Sequence, residues 1–157
     1  MKTLILYLLL MNKAFALDAF NLDSEKTLYI VDGDSISMQM RIAGIDTPEI
    51  KQPCEKTPQQ IMDCGRLSKA HLRQLLKTTP GKLRIIPVAA DHYHRILVRI
   101  YKGDTNIGKR MVEQGMAYSY KDTYKKQQQY AKANKLGFWS FHQPPIQPYK
   151  WRKLNPR

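Results

Sequence analysis

The sequence predicts an α+β fold that is mainly β: a small five-stranded barrel with about three helices packed on it. Short stretches rich in β-branched and aromatic residues recur up to residue 101, and stretches with helical apolar spacing lie between and after them. Gly and Pro residues mark the breaks between these stretches. The 157 residues are enough for one domain with a hydrophobic core and too few for two.

The first 16 residues have the pattern of a secretory signal. Lys2 supplies the positive charge, residues 3–11 are almost wholly apolar, and Ala14-Phe15-Ala16 fits a small-x-small cleavage site. The apolar stretch is shorter than the roughly 20 residues that span a bilayer. We therefore expect a mature chain of residues 17–157. An uncleaved anchor or a buried first strand are the alternatives.

Five strands are predicted from β-branched content and from period-2 alternation of apolar residues. They are residues 27–31, 35–38, 40–45, 83–88 and 96–101. A tight turn at residues 38–39 is expected to fold the third strand back on the second. A polar segment at residues 91–95 links the last two strands, and residues 117–120 are predicted to be extended.

Three helices are predicted from apolar periodicity and from their end signals. The first begins at Thr57 or nearer Asp63 and ends at Pro80-Gly81, and the others are residues 106–114 and 123–135. The Pro-rich basic arm at residues 144–157 needs no regular structure, and Trp151 is expected to anchor it. Short strands followed by helices in this order are typical of an OB-type barrel.

The two cysteines, Cys54 and Cys64, are interpreted as one disulfide because the chain is predicted to be exported. For a loop this short, the chain-entropy model gives a stabilisation of about 3 kcal/mol. A two-cysteine metal site is the weaker interpretation, because neither a second cysteine pair nor a well-spaced histidine pair completes it.

The charge balance favours a polyanionic partner. Twenty-six Lys and Arg residues stand against 13 Asp and Glu residues, a formal net charge of +13. Nucleic acid is the first candidate and an anionic membrane the second. The C-terminal arm lacks the long amphipathic face that a membrane-surface segment needs. The sequence therefore predicts a protein that binds nucleic acid.

Acidic residues are scarce, yet Asp32, Asp34, Asp46 and Glu49 all fall within residues 29–49. Side chains alternate along a strand, so Asp32 and Asp34 are predicted to share a face, and an antiparallel return would bring Asp46 close to them. Carboxylates with a backbone carbonyl suit Ca²⁺. Acids that merely end strands and cap turns are the alternative.

An EF-hand loop is excluded for this cluster. Counted from Asp32, Ser37 stands where that loop needs Gly and Ala43 where it needs Glu. Any metal site here must therefore be of another kind.

Several motifs resemble the staphylococcal nuclease (thermonuclease) family. Val-Asp-Gly-Asp-Ser, Arg-Ile-Ala-Gly-Ile-Asp-Thr-Pro-Glu and Asp-x-Tyr-x-Arg carry the resemblance, at residues 31–35, 41–49 and 91–95. Residues 112–118, residues 131–139 and the Pro-rich ending before Trp151-Arg152 agree with it. The resemblance thus covers nearly the whole mature chain, and the first two motifs are specific in combination.

The resemblance implies a Ca²⁺-dependent endonuclease on an OB-type barrel that cuts DNA and RNA to leave 3′-phosphates. Asp34 and Asp46 match the family's metal-binding carboxylates, and Thr47 matches the residue that lends a backbone carbonyl. Asp32 is placed as a supporting acid rather than as a direct ligand.

The catalytic residues that the resemblance implies are Arg41, Glu49 and Arg95. Glu49 matches the acid that positions or deprotonates the attacking water, and the two arginines match those that grip the scissile phosphate. This agrees with the chemistry, because hydrolysis of a phosphodiester needs an activated water. It also needs cations at the oxygens where charge builds, and the planar fork of Arg binds two of them at once.

Tyr93, Tyr118 and Tyr120 match family positions that line the nucleotide pocket, where a tyrosine can stack on a base or donate to a phosphate. Packing against the barrel is the alternative for Tyr118 and Tyr120.

His92 and His94 depart from the family's pattern, since a lysine and a glycine are usual at these positions. The loss of the lysine is expected to weaken a contact with a terminal phosphate. A zinc pair at His92 and His94 has no evident third ligand.

A non-catalytic OB-type nucleic-acid-binding module is the rival interpretation. The enzyme is favoured because the charged site residues are all present: Asp34, Arg41, Asp46, Glu49 and Arg95. We expect DNA and RNA as substrates, no stable protein partner, a monomer, and a location in the periplasm or outside the cell.

Overall fold

A computed structural model of the chain describes residues 28–156. The predicted signal at residues 1–16 lies outside the described residues. The predicted α+β, mainly β class is confirmed. Within residues 28–156 the strands pair in four small sheets, and this pairing does not close into a continuous barrel. Among these residues no helix combines the length and the apolar character that crossing a membrane requires.

The described part of the chain contains ten strands and four α-helices. The strands are β1 Leu28–Ile30, β2 Ile36–Met38, β3 Met40–Ile42, β4 Ile45–Asp46, β5 Pro53–Thr57, β6 Gln60–Asp63, β7 Leu83–Ala90, β8 Ile96–Lys102, β9 Thr105–Asn106 and β10 Tyr118–Ser119. The helices are α1 Cys64–Thr78, α2 Ile107–Glu113, α3 Lys125–Ala133 and α4 Pro148–Leu154, with a 3₁₀ turn at Gly137–Ser140.

The central sheet has the order β3-β8-β7, and β9 pairs with the C-terminal end of β8. β3 runs parallel to β8, and β7 runs antiparallel to it. Ile96 and Val98 of β8 are buried, which is the expected alternation for a strand with one face on the core. Four of the predicted site residues lie in β3 or in the chain directly after it: Arg41, Asp46, Thr47 and Glu49.

The predicted hairpin with a turn at residues 38–39 is wrong. β2 pairs back onto β1, and residues 31–35 form the turn, with the amide of Val31 donating to Ser35 O at 2.9 Å. After Met38 the chain joins another sheet instead, because Ile96 N donates to Gln39 O at 3.0 Å and β3 continues along β8. Asp32 and Asp34 therefore lie in an exposed turn rather than on a strand face.

Two packed clusters form the core. The larger joins α1 and α2 to β4 and contains Ile45, Leu75, Ile107, Met111, Val112 and Ala117. The smaller contains Cys54, Cys64 and Phe138. The predicted disulfide between Cys54 and Cys64 is present, with their Cα atoms 5.8 Å apart. It joins β5 to the first residue of α1.

Helix α1 begins near Asp63, the later of the two predicted starts, and residues 53–63 before it form the β5–β6 hairpin. The expectation that the C-terminal arm lacks regular structure is wrong, because α4 forms within it. Pro148 stands in the first turn of α4, where its missing N–H costs nothing and its fixed φ favours the helix.

Candidate active site

A cleft of about 350 Å³ opens where β3, β4, the loop after β4 and α1 meet. Five of the polar and charged residues that line it are Arg41, Asp46, Thr47, Glu49 and Arg152. Four of these lie within nine residues of sequence, and the fifth comes from α4 at the other end of the chain. The cleft thus brings together four of the predicted site residues.

Asp46 is the most buried acid of the cleft, with its side chain only 7% exposed. The pairing of β4 with β10 fixes its backbone, where Asp46 lies opposite Tyr118. A buried carboxylate requires charged or hydrogen-bonding partners. Arg41 supplies one, because its Nη2 donates to Asp46 Oδ1 at 2.7 Å. Arg41, which the resemblance assigns to the phosphate, thus contacts the acid that it assigns to the metal.

Arg152 supplies the second partner of Asp46. Its Nη2 donates to Asp46 Oδ2 at 2.8 Å, and its Nη1 donates to Glu49 Oε1 at 3.0 Å. Hydrogen bonds to Asp46 and then Glu49 raise the pKa of Arg152 above its ordinary value. Two guanidinium groups and two carboxylates therefore share the cleft in contact with one another.

Close contacts around the backbone fix the position of Glu49. Gln52 is fully buried, and its Oε1 accepts a hydrogen bond from the Glu49 amide at 3.1 Å. The start of α1 lies directly against this loop, since a Cβ on Gly65 would stand 1.9 Å from the Glu49 carbonyl oxygen. Gly65 is therefore required for the close approach of α1 to the loop that carries Glu49.

Asp34 lies apart from this cleft, in the turn between β1 and β2, where its carboxylate accepts from Ser35 Oγ at 3.2 Å. Its neighbour Asp32 is exposed, and hydrogen bonds from Ser35 and Asp34 lower the pKa of Asp32. Residues 28–156 contain no group of three His, Cys, Asp or Glu side chains placed to hold a metal.

The donors of the cleft nevertheless fit a hard divalent cation by their chemistry. Asp46 and Glu49 offer carboxylate oxygens, the ligand type that Ca²⁺ and Mg²⁺ prefer, and Thr47 lies between them in sequence. Of the three metal donors predicted from the sequence, Asp46 and Thr47 therefore lie in the cleft, whereas Asp34 lies in the exposed turn.

Arg95 directly precedes β8, the strand that pairs with β3, which carries Arg41. Arg41 pairs with Leu97 across the parallel ladder, and Arg95 precedes Leu97 by two residues. Asp91 holds the Arg95 guanidinium, with Nε donating to Asp91 Oδ2 at 2.8 Å. The turn at residues 91–95 therefore orients the second predicted phosphate-gripping arginine.

The same turn presents Tyr93 and His94 to solvent. Tyr93 is 66% exposed, and its ring lies 5.0 Å from the Arg95 guanidinium carbon. The amide of Tyr93 donates to Asp91 Oδ1 at 2.9 Å. His94 has a φ of 59°, the left-handed conformation that glycine adopts most easily. The family's glycine at this position thus matches a backbone requirement of the turn.

Tyr118 and Tyr120 lie in different environments. Tyr118 is buried, its hydroxyl donates to Pro145 O, and its ring packs edge-on against Trp139 at 5.2 Å. Burial raises the pKa of Tyr118. This is the position that the packing alternative expects. Tyr120 is exposed, and Lys121 Nζ lies 5.7 Å from its ring.

Two polar residues of the site went unpredicted, Gln52 and Arg152. Gln52 carries no motif, although complete burial of an amide side chain marks a hydrogen-bonding junction once the fold is known. Arg152 lies more than 100 residues from the acids it contacts. Its only sequence signal was its place beside Trp151 at the end of the resemblance.

The arrangement has the parts that phosphoryl chemistry needs. Glu49 is a partly exposed carboxylate, and Arg41 lines the same cleft and contacts Asp46. Guanidinium groups stabilise negative charge on phosphate oxygens, and a carboxylate can accept a proton from water. The cleft can therefore act on an anionic ester.

Comparison with known proteins also finds nucleases. The family model described as staphylococcal nuclease homologue matches residues 39–141. An uncharacterized endonuclease of Haemophilus influenzae is 31% identical over 141 residues, covering 82% of this chain and 72% of that protein. The micrococcal nuclease of Shigella flexneri is 32% identical over 150 residues, with 80% and 78% covered.

A thermonuclease of Staphylococcus hyicus is 24% identical over 143 residues, covering 82% of each chain. The family match includes β3, β4 and the turn at residues 91–95, and it ends before α4. Nucleases of this family generally depend on a metal ion, and their domain is an OB-fold. From its motifs, its cleft and these matches, the chain belongs to the staphylococcal nuclease family and is a nuclease that acts on nucleic acids.

Proposed function

We propose that the protein is an exported, Ca²⁺-dependent endonuclease that hydrolyses both DNA and RNA and leaves 3′-phosphate ends. The observation that carries this proposal is the cleft in which Arg41, Asp46 and Glu49 meet within hydrogen-bonding distance of one another or of a common partner.

The carboxylates of Asp34 and Asp46 and the backbone carbonyl of Thr47 would hold the calcium ion. All are oxygen donors, as a hard cation of this size requires. When bound, the ion would supply positive charge to the phosphate and lower the pKa of a nearby water. The exposed turn that carries Asp34 joins β1 to β2, and it would approach Asp46 for the two carboxylates to hold one ion.

Hydrolysis to a 3′-phosphate breaks the bond between phosphorus and the 5′ oxygen. Glu49 takes a proton from the attacking water, whose oxygen forms the new bond to phosphorus. Arg41 and Arg95 bind the non-bridging oxygens, where negative charge builds as the 5′ oxygen leaves. Each arginine already has a carboxylate partner, Asp46 or Asp91, that sets its direction.

Substrate grip is expected to come mainly from the phosphate backbone. The large positive net charge attracts any nucleic acid, and such contacts carry no base information. The exposed rings of Tyr93 and Tyr120 are available to stack on bases without sequence preference. Acceptance of both DNA and RNA follows from this mode of binding.

Export is supported by the signal pattern of residues 1–16 and by the disulfide between Cys54 and Cys64, a bond typical of oxidising compartments. Mapping the N-terminus of the protein recovered from outside the cytoplasm tests this part directly. A start at Leu17 is expected, and an intact Met1 there would contradict cleavage.

The test of the function is digestion of plasmid DNA and of RNA by the purified mature chain. Cleavage in Ca²⁺, its loss in chelator and 5′-hydroxyl ends that accept kinase label directly are expected. Full activity in chelator would contradict the metal requirement, and 5′-phosphate ends would contradict the bond that is broken. Binding without cleavage in every metal would favour the non-catalytic module.

A further inference from the structure

The guanidinium of Arg152 bridges the two acids of the cleft. Nη2 lies 2.8 Å from Asp46 Oδ2, and Nη1 lies 3.3 Å from Asp46 Oδ1 and 3.0 Å from Glu49 Oε1. One nitrogen therefore serves both carboxylates. A planar fork can hold two carboxylates at a fixed separation, whereas a lysine ammonium acts as a point charge.

The arm that carries Arg152 is fastened next to the cleft by contacts of its own. Gln52 Nε2 donates to Ile146 O at 2.7 Å, the hydroxyl of Tyr118 donates to Pro145 O, and Pro148 is buried. Gln52 also accepts from the Glu49 amide, so one buried side chain joins the arm to the loop of the site. The position of Arg152 is thus set by the fold and does not depend on its ion pairs alone.

Asp46 has both oxygens engaged by guanidinium groups, from Arg41 and Arg152. A divalent cation that binds this carboxylate competes with both guanidinium groups for its oxygens, and their positive charge opposes the cation. Arg152 is the more exposed of the two, at 37% against 29% for Arg41, and it has Glu49 as a second partner to keep. Arg152 is therefore the group that can leave Asp46 and still hold the other acid.

We propose that Arg152 is a positioning residue of this nuclease, which yields Asp46 to the metal ion and keeps Glu49 in place. The proposal rests on the metal dependence put forward above. It assigns a role in the active site to α4, a helix outside the segment that matches the family model. The two halves of the role act in opposite directions, since one opposes metal binding and the other supports turnover.

The test compares Arg152→Met with the wild-type chain, because methionine keeps much of the apolar stem and removes the charge. Calcium affinity is measured by calorimetry and by the rise in Tm that calcium produces. Loss of a competing cation should tighten calcium binding about three- to tenfold. Loss of the hold on Glu49 should lower kcat at saturating calcium about ten- to a hundredfold.

Lys150→Met is the matched control, since Lys150 is exposed on the same helix and carries the same charge. It should change calcium affinity and kcat less than twofold. Arg152→Lys separates charge from geometry. A single ammonium should restore competition with calcium but leave kcat low, because it does not bridge both acids.

A merely structural Arg152 would lower calcium affinity, kcat and Tm together, and that result would overturn the proposal. So would unchanged calcium affinity in Arg152→Met beside a wild-type chain that binds calcium. If the wild-type chain itself bound no calcium, the proposed metal would fail, and this outcome is seen in the wild-type titration before any variant is compared.

Discussion

Gln52 Oε1 lies 3.1 Å from the backbone nitrogen of Glu49, while Gln52 Nε2 lies 2.7 Å from the carbonyl oxygen of Ile146. One buried amide thus satisfies a donor of the loop that carries Glu49 and an acceptor of the C-terminal arm. Buried polar groups that lose such a partner remain desolvated and unpaired. Gln52 therefore couples the position of Glu49 to that of the arm.

Replacing Gln52 by leucine should remove the hydrogen bonds from the Glu49 amide and to the Ile146 carbonyl, which the apolar side chain cannot make. We expect the free energy of unfolding to fall by about 2–4 kcal/mol and the nuclease rate to fall with the displacement of Glu49. Urea denaturation and initial rates on DNA measure the two effects. Gln129→Leu, on the exposed face of α3, is the matched control, and equal stabilities of the two variants would contradict the role of Gln52.

Gly65→Ala tests the close approach of α1 to the loop that carries Glu49. The added methyl group would meet the Glu49 carbonyl oxygen at 1.9 Å, so the loop or the helix must move. Overpacking of this kind costs about 1–3 kcal/mol. The Tm, measured by thermal denaturation, and kcat should both fall. Gly33→Ala has no atom within 4 Å of the new methyl group and should change Tm little, so a similar loss in both variants would refute the explanation.

The Asp91–Arg95 pair predicts a pH dependence of stability. Burial alone would raise the pKa of Asp91, but hydrogen bonds from Arg95 and Tyr93 outweigh it and hold that pKa below its ordinary value. A carboxyl with a depressed pKa stabilises the fold above its unfolded pKa, near 4, and loses this contribution as the pH falls through the folded pKa.

Asp91→Asn should therefore lower the free energy of unfolding at pH 7 by roughly 1 kcal/mol and reduce its decline below about pH 4. Denaturation curves between pH 2 and pH 7 measure both quantities. Asp104→Asn, in an exposed turn, is the control. If the Asp91 variant declined with pH as steeply as wild type, the pair would not be the cause.

His94 provides a test of backbone strain in the same turn. At its φ of 59°, a β-branched residue is costly and glycine is not. His94→Val should lower the free energy of unfolding by about 1–2 kcal/mol, whereas His94→Gly should be neutral or stabilising. Chemical denaturation of the two variants measures the difference, and a valine variant as stable as the glycine variant would rule out the strain.

The parts of the fold that were predictable from the sequence are those set by local patterns. β8 and α2 follow from alternation and from capping by Asn106, and the acids of β4 and its following loop follow from a compact motif. The pairing of the strands was harder to predict from the sequence. A hairpin between β2 and β3 was the simplest prediction from local sequence, because the two strands adjoin in the chain. Instead, pairing with β8, more than 50 residues away, determines the path of the chain after Met38.

The site was predictable to the same extent. Arg41, Asp46 and Glu49 lie close in sequence and meet in one cleft. Arg152 was not predictable as a member, because its contact depends on a helix in a Pro-rich arm that composition alone describes as irregular. Its contact with Asp46 exists only once the arm has packed across the domain.

Catalysis at the cleft of Asp46 and Glu49 is tested most directly by the initial rate of DNA digestion by Glu49→Ala at saturating calcium. Circular dichroism and thermal denaturation establish that the variant is folded. Loss of the group that accepts the proton from water should slow cleavage by a factor of about 10² to 10⁴. A folded variant that cleaves at the wild-type rate would contradict the assignment of this cleft as the active site.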